Sequence, residues 1–298
     1  MSLEAERKAR PASIRVWHSR SVITPPADAP GTTIIAGCGK LGTALGERLV
    51  AAGGRVVALR RDVSSLPNAF TSISVDLTAP IDEPLTAADA LVITLTPSAV
   101  DGDYSSALAG LAAALPTPPG RTVFVSTTGV FDGWSGRQPI TEDDIPTGET
   151  ERSQMLLDAE TAAVEQFDAI ILRPVGIYGP GRDFLIRQTL SAPTIDAGRI
   201  TNRIHESDLA RALETLLTMA EPPRVLHAVD EEPVALREVV DHIASLLGVT
   251  APSGDGDGGR LHGNVFDGAA LHALLGHLDY PDYRAGYDEL VADYQRGA

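Results

Sequence analysis

The residues best suited to chemistry in this chain are Gly37-Cys38-Gly39-Lys40-Leu41-Gly42. They follow the β-branched run Thr32-Thr33-Ile34-Ile35 and open a helix-prone stretch from Leu41 to Ala52. A strand, a Gly-x-Gly-x-x-Gly turn and a helix in that order can hold a phosphate group with backbone alone. The first glycine permits the tight turn, the second lets main chain approach a pyrophosphate, and the third lets the helix pack closely on the sheet. The N–H groups and partial positive charge of the helix start then meet the anion. The spacing predicts a dinucleotide held by Gly37, Gly39, Lys40, Leu41 and Gly42, with its pyrophosphate over Gly39 to Leu41. A plain strand-to-helix turn is the alternative reading.

A second candidate pair, Arg60-Arg61, stands about where NAD-selective proteins carry an acid for the ribose 2′-hydroxyl. Guanidinium groups can grip a 2′-phosphate bidentately, so NADP is expected over NAD, with NAD still admissible. The simpler reading is an exposed basic pair at a strand end, partly neutralised by Asp62. Cys38 is the single cysteine. A helix N-terminus lowers a thiol pKa, yet no second cysteine exists to resolve an oxidised one, and a small side chain beside the pyrophosphate is the expected role.

The elements that must position these residues read as α/β. Short apolar runs at 32–36, 55–59, 72–75, 90–94, 122–126 and 169–172 alternate with helical stretches at 41–52, 104–115 and 151–166, which predicts crossover connections and a Rossmann-type, doubly wound parallel sheet. Residues 1–30, closed by Pro25-Pro26-Ala27-Asp28-Ala29-Pro30, read as an N-terminal extension, 31–176 as the nucleotide-binding domain, and 177–298 as a C-terminal part. That last part should combine a substrate lobe with returning sheet elements, including helices at 208–219, 236–247, 269–275 and 284–294. A net charge of −16 argues against nucleic acid or a membrane surface as partners. The absence of a membrane-length apolar run, together with the one cysteine, leads to the expectation of a cytoplasmic protein. Lysine occurs only at Lys8 and Lys40.

Several phrases occur in an order that resembles the extended short-chain dehydrogenase/reductases, in their NAD(P)-dependent epimerase/dehydratase branch. These are the Gly37 loop, Val75-Asp76-Leu77, Val123-Phe124-Val125-Ser126-Thr127-Thr128-Gly129-Val130-Phe131, Ile171-Leu172-Arg173-Pro174-Val175-Gly176-Ile177-Tyr178-Gly179-Pro180-Gly181 and Arg203-Ile204-His205-Glu206-Ser207-Asp208. The resemblance implies that Asp76 lies near the adenine, that Leu95 and Thr96 line the cofactor groove, and that Thr127 matches the family's catalytic Ser/Thr. Asp76 has the alternative of capping a turn, and Thr127 that of satisfying backbone at a strand end. His205 and Asp208 match a family phrase but are also ordinary helix-start residues, and no catalytic role is expected of His205. By analogy, helix 151–166 could join a homodimeric four-helix interface.

One departure shapes the functional expectation. The family's general acid/base tyrosine and the lysine four residues later fall at Thr150 and Gln154. No tyrosine lies between Tyr104 and Tyr178, and no lysine follows Lys40. The resemblance therefore implies an atypical NADP(H)-binding oxidoreductase acting on a small polar molecule, of sugar-nucleotide or carbonyl type. Its proton would come from Thr127 through water, from Tyr104 or from the substrate, with Arg152 or Arg173 as anion contacts. The rival is a catalytically silent NAD(P)-binding sensor or scaffold.

Overall fold

The computed structural model describes residues 29–81, 84–255 and 260–297, so nearly all of the N-terminal extension lies outside the described residues. The chain runs β1 (Thr32–Ala36), α1 (Lys40–Ala51), β2 (Arg55–Arg60), β3 (Thr71–Ser74), β4 (Ala90–Ile93), α2 (Tyr104–Ala114), β5 (Arg121–Val125), α3 (Glu151–Phe167) and β6 (Ile170–Pro174). It continues through β7 (Gly176–Tyr178), α4 (Phe184–Ser191), β8 (Thr194–Asp196), β9 (Ile200–Thr201), β10 (Arg203–His205), α5 (Glu206–Thr218) and β11 (Val225–Ala228). Last come β12 (Val234–Ala235), α6 (Leu236–Leu247), β13 (Ser253–Asp255), α7 (Ala269–Leu275) and α8 (Tyr283–Gly297).

Seven strands form one parallel sheet in the order β11-β6-β5-β4-β1-β2-β3. Alternate side chains of its strands enter different cores. Ile35, Val56, Ala58, Val92 and Val123 pack with Leu45 and Leu49 of α1 and Leu213 and Leu216 of α5. Ile34, Val57, Leu59, Leu91, Ile93 and Phe124 pack instead with Leu108 and Leu111 of α2 and Ala159 and Ala163 of α3. Burial on both faces explains why the central strands are continuous apolar runs. The order reverses at β1, whose neighbours are β2 and β4, and in open α/β sheets such a switch point is where ligands bind beyond the carboxyl ends of the strands.

The seventh strand, β11, and the short elements from β7 to β10 are not legible in the sequence. Segments of two to four residues carry no measurable period, and register with distant partners is what makes them strands. A separate core joins Tyr178, Ile186, Val239, Ile243, Tyr283 and Tyr287, binding α4, α6 and α8 together. Asp208, fully buried at the start of α5, ties that helix to the segment before α8. Its Oδ1 accepts from Asp279 N at 2.8 Å and its Oδ2 from Tyr280 N at 2.9 Å.

Candidate cofactor groove and substrate cavity

The glycine loop connects β1 to α1, and each glycine has a distinct steric reason. Gly37 has φ +81°, and a Cβ there would lie 2.9 Å from Leu95 Cδ2. A Cβ at Gly42 would lie 2.9 Å from Ile35 Cγ2 and 3.2 Å from Cys38 Sγ, so this glycine sets how closely α1 approaches the sheet. Around Gly39 the nearest atom to an added Cβ is Gly37 O at 3.8 Å, which leaves main chain open to an approaching ligand. Gly37 and Cys38 both donate to Leu59 O, at 2.9 and 3.1 Å, and fix the loop to the end of β2. No side chain caps the start of α1, so its first-turn N–H groups remain donors for an anion. These features fit a dinucleotide pyrophosphate.

Other predicted residues gather around the loop. Leu95 is buried against Gly37, and Thr94 Oγ1 donates to Gly37 O at 2.8 Å. Arg60 is half-buried, with Nη1 3.3 Å from Cys38 O, whereas Arg61 is exposed. The Asp62 carboxylate accepts from Ser64 N at 2.9 Å and is occupied there. Lys40, exposed on the first turn of α1, donates its ammonium to Gly181 O in the segment after β7. Burial pushes the Cys38 thiol pKa up, although Thr43 and Arg60 pull it down, and a protonated thiol is a poor redox centre.

Two further predicted groove residues are occupied locally. Asp76 is exposed, and its Oδ1 accepts from Thr78 N at 3.0 Å and from Thr78 Oγ1 at 2.8 Å; those bonds hold its carboxyl below the usual range. Thr96 is exposed, with its hydroxyl 3.1 Å from Ser98 Oγ.

Beyond β5 the chain enters a single 3₁₀ turn over Thr128–Phe131, capped by Thr127, whose Oγ1 accepts from Gly129 N at 3.2 Å. Ser126 Oγ donates to Glu160 Oε1 at 2.6 Å, and Glu160 receives Arg173 bidentately at 2.9 and 2.7 Å in a buried pair. Arg173 also lies over the Phe131 ring, 5.4 Å from its centroid. The guanidinium is therefore committed inside the fold, and Arg173 is not an anion contact as the sequence suggested. Tyr104 is corrected in the same way. It is buried, its hydroxyl donates to Leu95 O at 2.9 Å, and burial pushes its pKa up to about 12.

A cavity of about 590 Å³ lies between this turn and the C-terminal part of the chain. Thr128, Asp132 and Trp134 line one side and Arg199, Asn264 and Phe266 the other. Thr127 is not among the lining residues, although its neighbour Thr128 is. Neither Thr150 nor Gln154 is among the cavity's lining residues. Thr150 caps α3 by accepting from Ser153 N at 3.0 Å, and Gln154 bonds Asp158 at 2.8 Å. Arg152, the second residue of the same helix, has its Nε 3.5 Å from Asp132 Oδ2. The sequence did not single out Asp132, Trp134, Arg199 or Asn264. The flanking Gly133, Gly136, Gly198 and Gly263 mark turns, and no local signal shows that the turns converge.

His205, Tyr283 and Tyr287 serve packing and capping. His205 Nδ1 accepts from Ser207 N at 3.2 Å as the cap of α5, its ring stacks on Tyr280, and burial pushes its pKa down to about 4. Tyr287 stacks on Tyr178 within the C-terminal core, and Tyr283 packs in that same core.

Residues 32–115 match the family described as NADP oxidoreductase coenzyme F420-dependent. Among solved structures the chain is similar to one named for a NAD-dependent epimerase/dehydratase from Methylobacillus flagellatus, with 29% identity, 90% of this chain and 100% of that chain covered, and a TM-score of 0.77. It also shares its fold with MoeE5 in complex with UDP-glucuronic acid and NAD (21% identity, 90% and 100% covered, TM-score 0.69). A third neighbour is the UDP-glucose 4-epimerase of Thermotoga maritima with UDP-glucose (15% identity, 89% and 99% covered, TM-score 0.72). No curated protein matches the sequence. Among the described residues no helix is long and apolar enough to cross a membrane.

Proposed function

We propose that this chain, an extended short-chain dehydrogenase/reductase relative of the NAD-dependent epimerase/dehydratases, is an NADP(H)-binding oxidoreductase acting on a small polar substrate of the sugar-nucleotide or carbonyl class. The observation that carries this reading is the placement of two features on one edge of one parallel sheet. The glycine loop follows β1, the cavity turn follows β5, and parallel strands put both at carboxyl ends.

In this reading residues 31–176 bind the nucleotide and 177–298 complete the substrate side. Gly37, Gly39, Lys40, Leu41 and Gly42 hold the pyrophosphate. Arg60 and Arg61 take the 2′-phosphate, Asp76 lies near the adenine, and Leu95 and Thr96 border the groove. The bound dinucleotide supplies hydride exchange. Thr127 accepts one bond from Gly129 N and keeps its own hydroxyl hydrogen for a substrate oxygen. Arg199 is exposed at the cavity and offers a cation to an anionic substrate group. The tyrosine and lysine of the usual relay are absent from this arrangement.

The test has two stages. Fluorescence titration should show NADPH binding at least about tenfold tighter than NADH, the lower end of what a charge-assisted phosphate contact is worth. Steady-state assays with UDP-glucose, ketones and aldehydes should then show dinucleotide turnover. Equal affinities remove the NADP preference, and failure to bind either dinucleotide removes the whole reading.

A further inference from the structure

We propose that Asp132 is the proton acceptor of the cavity and that Arg152 holds its carboxylate in place, so that an acid and a guanidinium take over the work of the missing tyrosine and lysine. This rests on the reading of the cavity as the substrate site.

Elimination among the groups at the cavity leads to Asp132. Asn202 donates to Asn264 O at 2.8 Å and accepts from Phe266 N at 3.0 Å. Asn264 donates to Phe131 O at 3.2 Å and accepts from Gln138 at 3.0 Å. Both amides thus close the wall, and an amide takes up no proton near neutrality. Thr128 Oγ1 is 3.5 Å from Pro174 O, and a hydroxyl or an indole such as that of Trp134 is no base at neutral pH. Arg199 is always charged. Tyr104 donates into the fold, and His205 serves as a helix cap. Among the described residues that line the cavity, Asp132 alone carries a carboxylate.

Its placement suits the role. Asp132 ends the turn that begins at Thr127, and its backbone N–H donates to Gly129 O at 3.1 Å. The residue before it, Phe131, is gripped edge-on by Trp134, His227 and Phe266 and covered by Arg173, so the carboxylate springs from a rigid base. Arg152 Nε stands 3.5 Å from Asp132 Oδ2, with both side chains about half exposed. An exposed pair at that distance contributes little to stability, yet it fixes the orientation of the carboxylate beside the cavity.

The step balances in the direction of oxidation. A substrate O–H bond breaks and its proton moves to an Asp132 carboxylate oxygen. A bound oxidised nicotinamide dinucleotide would take up the electron pair of the adjoining C–H bond as hydride, so that the carbon–oxygen single bond becomes a carbonyl. Asp132 is left as the neutral acid and returns the proton in the reverse reaction. Arg152 acts through Asp132 as a positioning residue.

Trp134 gives a readout apart from turnover, because it lines the same cavity and the chain's other tryptophan is Trp17. UDP-glucose and the carbonyl panel are titrated against Trp134 fluorescence with NADP⁺ present, and turnover is followed separately in the unmodified chain, in Asp132→Asn and in Arg152→Gln. A panel ligand should quench Trp134 with a Kd that Asp132→Asn changes less than threefold, while turnover falls about 10² to 10⁴-fold. In Asp132→Ala, added formate should restore part of the rate, and Arg152→Gln should lower kcat by less than Asp132→Asn with KM unchanged. Full turnover in Asp132→Asn overturns the assignment and leaves the proposed function intact. Equal loss of quenching and turnover makes Asp132 a binding contact and also overturns it. An unmodified chain that neither binds nor turns over any member of the panel removes the substrate reading, and this assignment falls with it.

Discussion

The glycine loop and the cavity sit on the same edge of the sheet but are built from different materials. In the proposed function the groups at work around Gly37 to Gly42 are main-chain N–H donors, and side chains matter mainly by being absent at Gly37 and Gly42. Around the cavity the working groups are side chains, brought from the turn after β5 and from segments around Arg199 and Asn264. A backbone site needs only its own strand, turn and helix. A side-chain site needs several distant segments held in fixed relation, here by polar contacts such as the part-buried Ser126–Glu160 and Asn202–Asn264 bonds and the buried Glu160–Arg173 pair.

Breaking the buried ion pair beneath the cavity turn tests that difference most severely. Glu160→Ala leaves the Arg173 guanidinium buried and unpaired, and removing one partner of such a pair costs about 3–5 kcal/mol. Urea unfolding should show that loss. A change under about 1 kcal/mol would mean the cavity wall does not depend on this pair.

The cofactor side is probed by the double variant Arg60→Ala, Arg61→Ala. Its NADPH affinity should fall by about 1.5–3 kcal/mol in binding free energy while NADH binding changes little, since only the 2′-phosphate is deprived of partners. Parallel losses for the two cofactors in titration calorimetry would break the assignment of these arginines.

A titration separates the C-terminal side further. Burial raises the Asp230 pKa to about 8, and the Glu232 N–H that donates to its carboxylate, together with Arg203, only partly offsets this. Between pH ~4 and pH ~8 the folded chain therefore holds a proton that the unfolded chain releases. This contribution is fully present below the unfolded pKa and is lost as pH rises to the folded one. The slope of unfolding free energy from this group should reach at most about 1.4 kcal/mol per pH unit, negative with rising pH, and Asp230→Asn should remove it. Identical slopes in the two proteins would show that Asp230 does not titrate in this way.

The smallest expected effect is at Thr150. As the cap of α3, Thr150→Val should cost about 1 kcal/mol of stability and leave dinucleotide turnover nearly intact. A turnover loss of 10²-fold would instead place the Thr150 hydroxyl in the chemistry.

What the sequence by itself determined is local or periodic. The β1-loop-α1 unit, the alternation that makes a parallel sheet and the helix starts at Tyr104 and Glu151 each follow from a few consecutive residues, through steric limits at glycine, apolar period and helix-end chemistry. The departures at Thr150 and Gln154 were legible for the same reason, because a four-residue spacing is a local fact. Tertiary structure alone decided the rest. Nothing near Arg173 in the chain reveals that its guanidinium is closed by Glu160, or near Tyr104 that its hydroxyl turns to Leu95 O. Strand β11 exists because its backbone pairs with β6, and Asp132 and Arg199 share a cavity because that pairing and the C-terminal core hold their loops opposite each other. Hydrogen-bond partners and desolvation depend on what lies nearby in space, and for residues this far apart in the chain, nearness is a property of the packed fold.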